Sequence, residues 1–479
     1  MHKHWNKIIR YFVAVSLVGL PGTALAAQWR VSSGVGVSER YSDNDNLSAT
    51  DKKDKFVTVV SPDISLEGSG GGRIDYDVLA ALTHHESSDG EDSTNPRLNG
   101  NANAELVDRI LFFDASSTIN QNRVDPFRST GDDDVSRSRS DNVTTTYSYT
   151  LSPYLVGRIN SFADMELRYS YDEQWNSDSD VSDSSRQAVS FHLNSGQDFK
   201  AFDWGLVGNY SKTDDDDDGN TNQNDDDKFS SADFNVGYRV NRKLRLRGSI
   251  GREWNDFESV RSEDTDGERW DAGLVWTPNK RTTVNIGYGE RFFGDVPTVD
   301  ISHRWKKSVF TASYTKDLTE ARDLRNEQSI YDEDVFGNPI DPTSNDPAFV
   351  TDNEGAVVDE RISFSWSRQG RRTTLTWRGD HSTQEPQDTL AEEVFISSSI
   401  ELSRRLTSKL SFDTSVDWES QENELDEEFE TWRFNMGLSR PLGSKSNVSL
   451  RYTYTDRDSD LLDDGYEENR VILNYRINF

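Results

Sequence analysis

The sequence contains no cysteine among its 479 residues. This absence excludes disulfide bonds, thiolate metal sites and a lipid attached through an N-terminal cysteine. Long apolar runs are also missing, because no stretch after residue 26 reaches the roughly 20 apolar residues that a membrane-spanning helix needs. Basic charge is scarce, with 53 Lys and Arg against 85 Asp and Glu and a formal net charge of -32. That balance excludes a nucleic-acid partner.

Histidine is scarce as well, and it offers no catalytic set. Beyond the first 26 residues, histidine occurs only at His84, His85, His192, His303 and His381. The adjacent pair His84 and His85 would point to opposite faces of a strand, which disfavours a shared metal ion. Because no nucleophile, base and orienting group can be assembled by spacing, the sequence predicts a protein that is not an enzyme and that has no cofactor.

The first 26 residues have the pattern of a secretory signal peptide. Lys3, Lys7 and Arg10 precede a short apolar run at residues 11–20, and Ala24-Leu25-Ala26 supplies an A-x-A cleavage site. We therefore expect a signal peptide at 1–26 and one domain at 27–479.

Alternation of apolar and polar residues dominates the rest of the chain. In the last ten residues, Val471, Leu473, Tyr475, Ile477 and Phe479 occupy every second position, which is typical of a β-strand with one apolar face. A strand that ends on an aromatic residue resembles the terminal strand of bacterial outer-membrane barrels, where this signature is read during insertion. Tyr475, Ile477 and Phe479 are accordingly the predicted assembly signal, and the barrel-assembly machinery is a predicted partner.

The same alternation recurs in segments of about 10–14 residues, with long acidic and short basic connections taking turns. Abundant aromatics (12 Trp, 17 Tyr and 23 Phe) argue against disorder despite only 33% hydrophobic residues. The pattern predicts an all-β fold, a single transmembrane antiparallel up-and-down β-barrel of about 22 strands, with about 18 to 24 as alternatives. Short periplasmic turns, long acidic extracellular loops and a location in the cell outer membrane follow, with membrane lipid and lipopolysaccharide as the surroundings.

Inward positions of the predicted strands carry charge of both signs. The predicted lumen-lining residues are Arg239, Arg245, Arg247, Arg304, Arg361, Arg378, Arg433, Arg451, Arg476, Asp164 and Glu166. Two interpretations stay open: ion pairs that stiffen the wall, or a wet channel wall whose arginines track an anionic polymer. The first strand begins within two residues of the cleavage site, so either the pore is open and wide or a loop folds into it. The connection from Asp317 to Val357 is the only one long enough to do so, and we expect it to restrict the pore, with a disordered loop that projects outward as the alternative.

A run of aspartates is the densest local signal. Asp214, Asp216, Asp218 and Asp225 match positions 1, 3, 5 and 12 of a calcium-binding loop, although position 12 is not the usual Glu and strands flank the run. A solvated, self-repelling loop is the simpler interpretation. Weak surface binding of Ca²⁺ or Mg²⁺, bridging to lipopolysaccharide, lies between the two.

Two early stretches resemble a known family. They are Val35–Ser48, VGVSERYSDNDNLS, and Phe56–Leu66, FVTVVSPDISL. Both resemble the start of outer-membrane β-barrel porins associated with exopolysaccharide loci and PEP-CTERM (exosortase) systems, in which a first strand ends in Y-[ST]-D-N and a second carries V-S-P-x-[IL]. The resemblance covers about 35 residues and brings no catalytic residues with it. It implies a channel for exopolysaccharide export or surface polysaccharide assembly, with polysaccharide export proteins as partners.

Two other functions fit the same pattern. A general diffusion porin for small anionic solutes would use the lumenal arginines, whereas a structural or adhesive surface barrel would use the acidic loops. The alternation alone does not separate these from polysaccharide export.

Overall fold

The computed structural model describes residues 27–70, 73–90, 92–130, 140–178, 181–216, 226–261, 264–327, 355–461 and 464–479. The predicted signal peptide lies outside the described residues.

Twenty-two antiparallel strands account for most of the described residues, as the alternation predicted. Their bounds are β1 (Ala27–Ser42), β2 (Lys55–Gly70), β3 (Ile74–Ser87), β4 (Ser93–Val107), β5 (Leu111–Arg123), β6 (Val143–Ile159), β7 (Ala163–Asn176), β8 (Asp183–Ser195), β9 (Phe202–Asp216), β10 (Asp226–Asn241), β11 (Leu244–Asp256), β12 (Gly267–Asn279), β13 (Thr282–Arg291), β14 (Gly294–Arg304), β15 (Ser308–Glu320), β16 (Ala356–Gln369), β17 (Thr373–Pro386), β18 (Glu393–Arg405), β19 (Ser411–Glu422), β20 (Glu428–Pro441), β21 (Ser446–Ser459) and β22 (Tyr466–Asn478).

Each strand pairs with the next one along the chain, and β1 pairs with β22 to close the ring. The closing register runs from Gly34 opposite Asn478 to Ser42 opposite Arg470. Because the ring has no free edge, every strand finds hydrogen-bond partners on both sides, which a β structure needs in order to cross a lipid layer. The fold is a closed up-and-down barrel.

The two faces of the wall are inverted relative to a soluble protein. Large apolar side chains are exposed on the outside, for example Trp29, Ile250, Leu450 and Leu473. Among the described residues, the buried side chains are mostly polar or charged, and several of the largest are charged, such as Arg40. Lipid can cover the apolar exterior, and the polar face lines the lumen.

Connection length alternates around the ring, so one end carries short turns and the other carries longer loops. We assign the short turns to the periplasmic side and the longer loops to the extracellular side. In the part of the chain that is described, no helix is long and apolar enough to cross a membrane.

The predicted connection from Asp317 to Val357 is shorter than expected. Strand β15 continues through Asp317 to Glu320, a short helix α1 (Ala321–Glu327) follows directly, and β16 already begins at Ala356. The apolar residues Ala321 and Leu324 of α1 are buried against Val357. This contact anchors α1 beside the wall. Residues 328–354 of the predicted connection lie outside the described residues.

Candidate functional site

The lumenal arginines lie next to carboxylates on neighbouring strands. Arg245 pairs with Asp203 across the intervening strand β10, and Arg247 pairs with Asp271 and donates to Asn285 at 3.1 Å. Both arginines bridge neighbouring strands on the inner face. Most of the other predicted lumen-lining residues also have charged partners: Arg361 with Asp359 (3.3 Å), Arg378 with Glu401 (3.8 Å), Arg433 with Glu419 (3.8 Å), Arg476 with Asp63 (2.5 Å), Asp164 with Arg158 (2.6 Å) and Glu166 with Arg168 (3.2 Å).

The three remaining predicted residues are Arg239, Arg304 and Arg451. Arg239 is exposed near a periplasmic turn and donates to the carbonyl of Lys200 at 3.0 Å. Arg304 is exposed where β14 meets its own periplasmic turn. Arg451 lies opposite Gly437, which in turn lies opposite Asp413. The first two therefore mark the periplasmic rim rather than the middle of the lumen.

Inward glycines let these arginines reach over a strand. The Arg476 guanidinium crosses β1 at Gly34 to bind Asp63 on β2, and a Cβ on Gly34 would collide with it. In the same way Arg269 on β12 passes over Gly251 on β11 to bind Asp233. A side chain on the middle strand would close the path, so the bridge depends on the missing Cβ.

Charged side chains join α1 and the end of β15 to strands β7 and β8. Arg186 on β8 donates to Glu320 at 2.7 Å and to Asp323 at 2.6 Å. Asp172 on β7 accepts from Arg186 at 3.1 Å and from Arg322 of α1 at 2.5 Å. Strands β7 and β8 are far from β15 around the ring, so the start of this connection does fold inward.

Cavities flank α1 on both sides. One of about 380 Å³ lies between α1 and strands β6 to β9, and its wall is rich in hydroxyl groups. A second of about 220 Å³ lies beside Glu320 and Asp323, next to Arg269 and Arg291. The segment around α1 therefore borders two small polar cavities in this part of the lumen.

Another extracellular connection reaches across the lumen through an aromatic contact. Phe127, between β5 and β6, stacks with Phe395 and packs against Phe429, both at 5.6 Å between ring centroids. Arg457 donates to the Phe127 carbonyl and pairs with Asp464 at 2.8 Å. We call Phe127, Phe395 and Phe429 the aromatic latch.

A third inward contact comes from the connection between β11 and β12. Arg261 pairs with Glu385 and donates to Gln387 at 2.6 Å, and the backbone of Val260 bonds to that of Gln387 at 2.9 Å. The extracellular side is thus narrowed from three directions. The expectation that only the connection from Asp317 to Val357 could fold inward was too narrow.

The predicted calcium residues do not form a described loop. Asp214 lies in β9, where Lys212 binds it at 2.5 Å, and Asp216 ends the same strand. Asp218 and Asp225 lie outside the described residues. In the described ranges, no group of three or more His, Asp or Glu side chains is placed to hold a metal ion.

The predicted assembly residues lie at the end of β22, and Phe479 directly follows the strand. Tyr475 and Phe479 are exposed on the outer face, while Arg476 between them is buried on the inner face. The Phe479 amide donates to the Ser33 carbonyl at 2.8 Å. The terminal residue is therefore part of the seam between β1 and β22, although its role as an assembly signal remains a prediction.

Several residues of the lumen site were not among the predicted ones, notably Arg168, Arg186, Arg269, Arg291 and Arg322. The first four lie at inward positions of strands, so strict alternation could have found them. Arg322 lies in a short helix, and no periodic signal marks it.

Comparison with known proteins supports the architecture. No protein-family model matches the sequence, and no curated protein matches it either. Among solved structures, the chain is similar to a mutant of the ferric enterobactin receptor from Pseudomonas aeruginosa, with a TM-score of 0.53, 9% identity and coverage of 94% of this chain and 80% of that one. The siderophore receptor PirA from the same organism has a TM-score of 0.50 and 11% identity, and the match covers 94% of this chain and 80% of that one. The FrpB iron transporter from Neisseria meningitidis has a TM-score of 0.54 and 9% identity, and the match covers 94% of this chain and 82% of that one.

At these identities the likeness concerns the fold. A closed ring of strands, an apolar exterior and a polar interior are the features that a barrel needs in a bacterial outer membrane. The chain is an outer-membrane β-barrel, as the sequence predicted.

Proposed function

We propose that this barrel is a non-enzymatic outer-membrane channel for a hydrated, sparsely charged polymer, with exopolysaccharide as its cargo. The observation that carries the proposal is the pairing of lumenal arginines with carboxylates two strands away, as in Arg245 with Asp203 and Arg269 with Asp233. A wall of ion pairs, in which each arginine is neutralised by a carboxylate, offers a polymer many weak contacts and few strong ones. Weak contacts suit a cargo that has to move along the channel. The resemblance of Val35–Ser48 and Phe56–Leu66 to porins of exopolysaccharide loci supports the choice of cargo.

The same pairing disfavours a diffusion porin for small anionic solutes. An arginine bound to a carboxylate offers little net positive potential to a passing anion. The whole chain is also strongly acidic, with a net charge of -32, which repels anions at the mouth. A structural or adhesive surface barrel would not need the inward contacts that line this lumen.

Uptake of an iron–siderophore complex is the second candidate. It is favoured by the shared barrel fold with the ferric enterobactin receptor and with the FrpB iron transporter. Such a function would require a site that holds a ferric chelate tightly, whereas export requires contacts that release the cargo.

We expect the working protein to sit among lipid and lipopolysaccharide, to be inserted by the barrel-assembly machinery and to act with polysaccharide export proteins. Bound cofactors are not part of the proposal. Weak surface binding of Ca²⁺ or Mg²⁺ remains a prediction.

Deletion of the gene in the bacterium that carries it tests the proposal. Surface polysaccharide should fall and periplasmic polysaccharide should rise, and the full-length gene should restore both. Growth with ferric enterobactin as the iron source should stay unchanged. Normal surface polysaccharide together with lost growth on the ferric siderophore would overturn export in favour of uptake.

A further inference from the structure

Arg322 of α1 is a buried charge whose hydrogen bonding is incomplete. Its side chain is 8% exposed, and its Nη2 donates to Asp172 at 2.5 Å. Within the described residues, its Nε and Nη1 have no hydrogen-bond partner. A buried donor without a partner is unfavourable, and more so when the group is charged. A polar ligand that accepts from these two nitrogens would recover that cost.

The cavity beside Arg322 is lined by hydroxyl groups from three strands. Ser148 and Thr150 come from β6, Ser170 from β7 and Ser211 from β9. Each hydroxyl can both donate and accept a hydrogen bond. Its volume of about 380 Å³ lies within the range of small-molecule sites.

The charges around the cavity nearly cancel. Its lining carries two guanidinium groups, Arg186 and Arg322, and two carboxylates, Asp172 and Glu173. Arg186 is further neutralised by Glu320 and Asp323. A site for phosphate or another free anion would need an excess of positive charge, and this one has none. A ligand that carries many hydroxyl groups and no net charge matches the donors, the acceptors and the balance of charge.

We propose that this cavity is a binding subsite for one or two units of a neutral carbohydrate, with Arg322 as the donor that completes it. Sugar hydroxyls accept hydrogen bonds from the free nitrogens of Arg322 after a small shift of α1 and donate to Asp172 or to the wall hydroxyls. The choice of carbohydrate over other polyols rests on the proposed export function. The existence of the subsite rests on the geometry alone.

Titration calorimetry on the full-length purified barrel in detergent tests the subsite. The probes are maltotriose, tri-galacturonate and inorganic phosphate, which separate a neutral sugar, an acidic sugar and a bare anion. Maltotriose should bind saturably to the wild type and more tightly than either anionic probe. Arg322→Gln should weaken its binding about tenfold or more, since two donors are lost.

Two further variants separate binding from folding. Ser170→Trp fills the cavity from the wall, changes no residue of α1 and should abolish maltotriose binding. Arg261→Gln removes another inward ion pair, the one to Glu385, and should leave binding within about twofold of the wild type. Folding of each variant is checked by its heat-dependent shift on a denaturing gel.

Several results would overturn the subsite. They are no saturable binding of maltotriose, tighter binding of phosphate or tri-galacturonate, unchanged binding in Arg322→Gln or Ser170→Trp, and an equal loss in Arg261→Gln. The export function is judged separately, by the polysaccharide assay in the deletion strain. If the barrel exports polysaccharide but does not bind maltotriose, the proposed subsite is wrong and the proposed channel function stands.

Discussion

Single residues on the inner face decide which ion pairs the wall can form. Gly34 and Gly36 both lie on β1 and both face inward, yet their surroundings differ. A Cβ on Gly34 would collide with Arg476 and Asp63, while a Cβ on Gly36 would meet only ordinary contacts at 3.8 Å or more. The missing side chain at Gly34 is therefore part of the Arg476–Asp63 bridge.

Gly34→Ala should destabilise the barrel at its seam. Displacing Arg476 from the buried Asp63 is an overpacking change, which typically costs about 1–3 kcal/mol. The expected result is a lower temperature for the gel shift that reports unfolding, measured on purified barrel. Gly36→Ala is the matched control and should be neutral or slightly stabilising, since alanine fits a strand better than glycine. Equal shifts in the two variants would show that the bridge does not depend on Gly34.

Face assignment can be tested with one pair of adjacent residues on β21. Leu450 is 47% exposed on the outer face, and Ser449 lies on the opposite face beside Ser439 and Asn474. Leu450→Arg should lower folding yield in lipid vesicles, because a lipid-facing arginine costs about 2–4 kcal/mol near the midplane. Ser449→Arg should be tolerated. If both fold equally well, the register of β21 is wrong by one residue.

At the scale of elements, the aromatic latch links connections that are distant in sequence. Phe127 is 5% exposed between Phe395 and Phe429, so it closes part of the extracellular mouth. Phe127→Ala removes the ring through which the connection between β5 and β6 contacts Phe395 and Phe429. We therefore expect the variant to have a larger single-channel conductance than the wild type in planar bilayers.

An aromatic cluster at the other end of the barrel supplies the control for the latch. Phe162, in the turn between β6 and β7, packs against Phe199 and Trp204 and does not cross the lumen. Phe162→Ala should leave the conductance unchanged. A conductance that stays the same in Phe127→Ala as well would mean that the latch does not restrict the pore.

The strands were predictable from sequence because their signal is local. Alternation over ten residues, as in β22, gives the strand and its faces, and counting such segments gives the ring. The inward contacts were not predictable in the same way. Phe127 and Arg322 meet residues 150 or more positions away, and nothing periodic in their own neighbourhoods indicates those partners. The connection that begins at Asp317 was chosen for its length. That criterion led to α1 but not to the aromatic latch, which lies in a shorter connection.

At the scale of the whole molecule, closure of the barrel depends on one long-range pairing. Every other pairing between described strands joins neighbours in sequence, whereas β1 and β22 come from opposite ends of the chain. Ion pairs stabilise this seam at both ends. Arg476 binds Asp63 on one side, and on the other Arg40 binds Glu468 at 3.3 Å while Ser42 donates to Glu468 at 2.5 Å.

The seam makes the last residue a test of assembly. Phe479→Ala keeps the backbone hydrogen bond to Ser33 and removes only the exposed ring, so the finished barrel should be nearly as stable as the wild type. If the barrel-assembly machinery recognises the ring during insertion, however, Phe479→Ala should leave much less protein in the outer membrane and more degraded protein in the periplasm. Fractionation of cells followed by immunoblotting measures both. Phe479→Tyr keeps an aromatic terminus and should assemble normally. Wild-type levels of Phe479→Ala in the outer membrane would show that the terminal ring is not the signal, and that closure of the seam relies on the backbone and the buried charges.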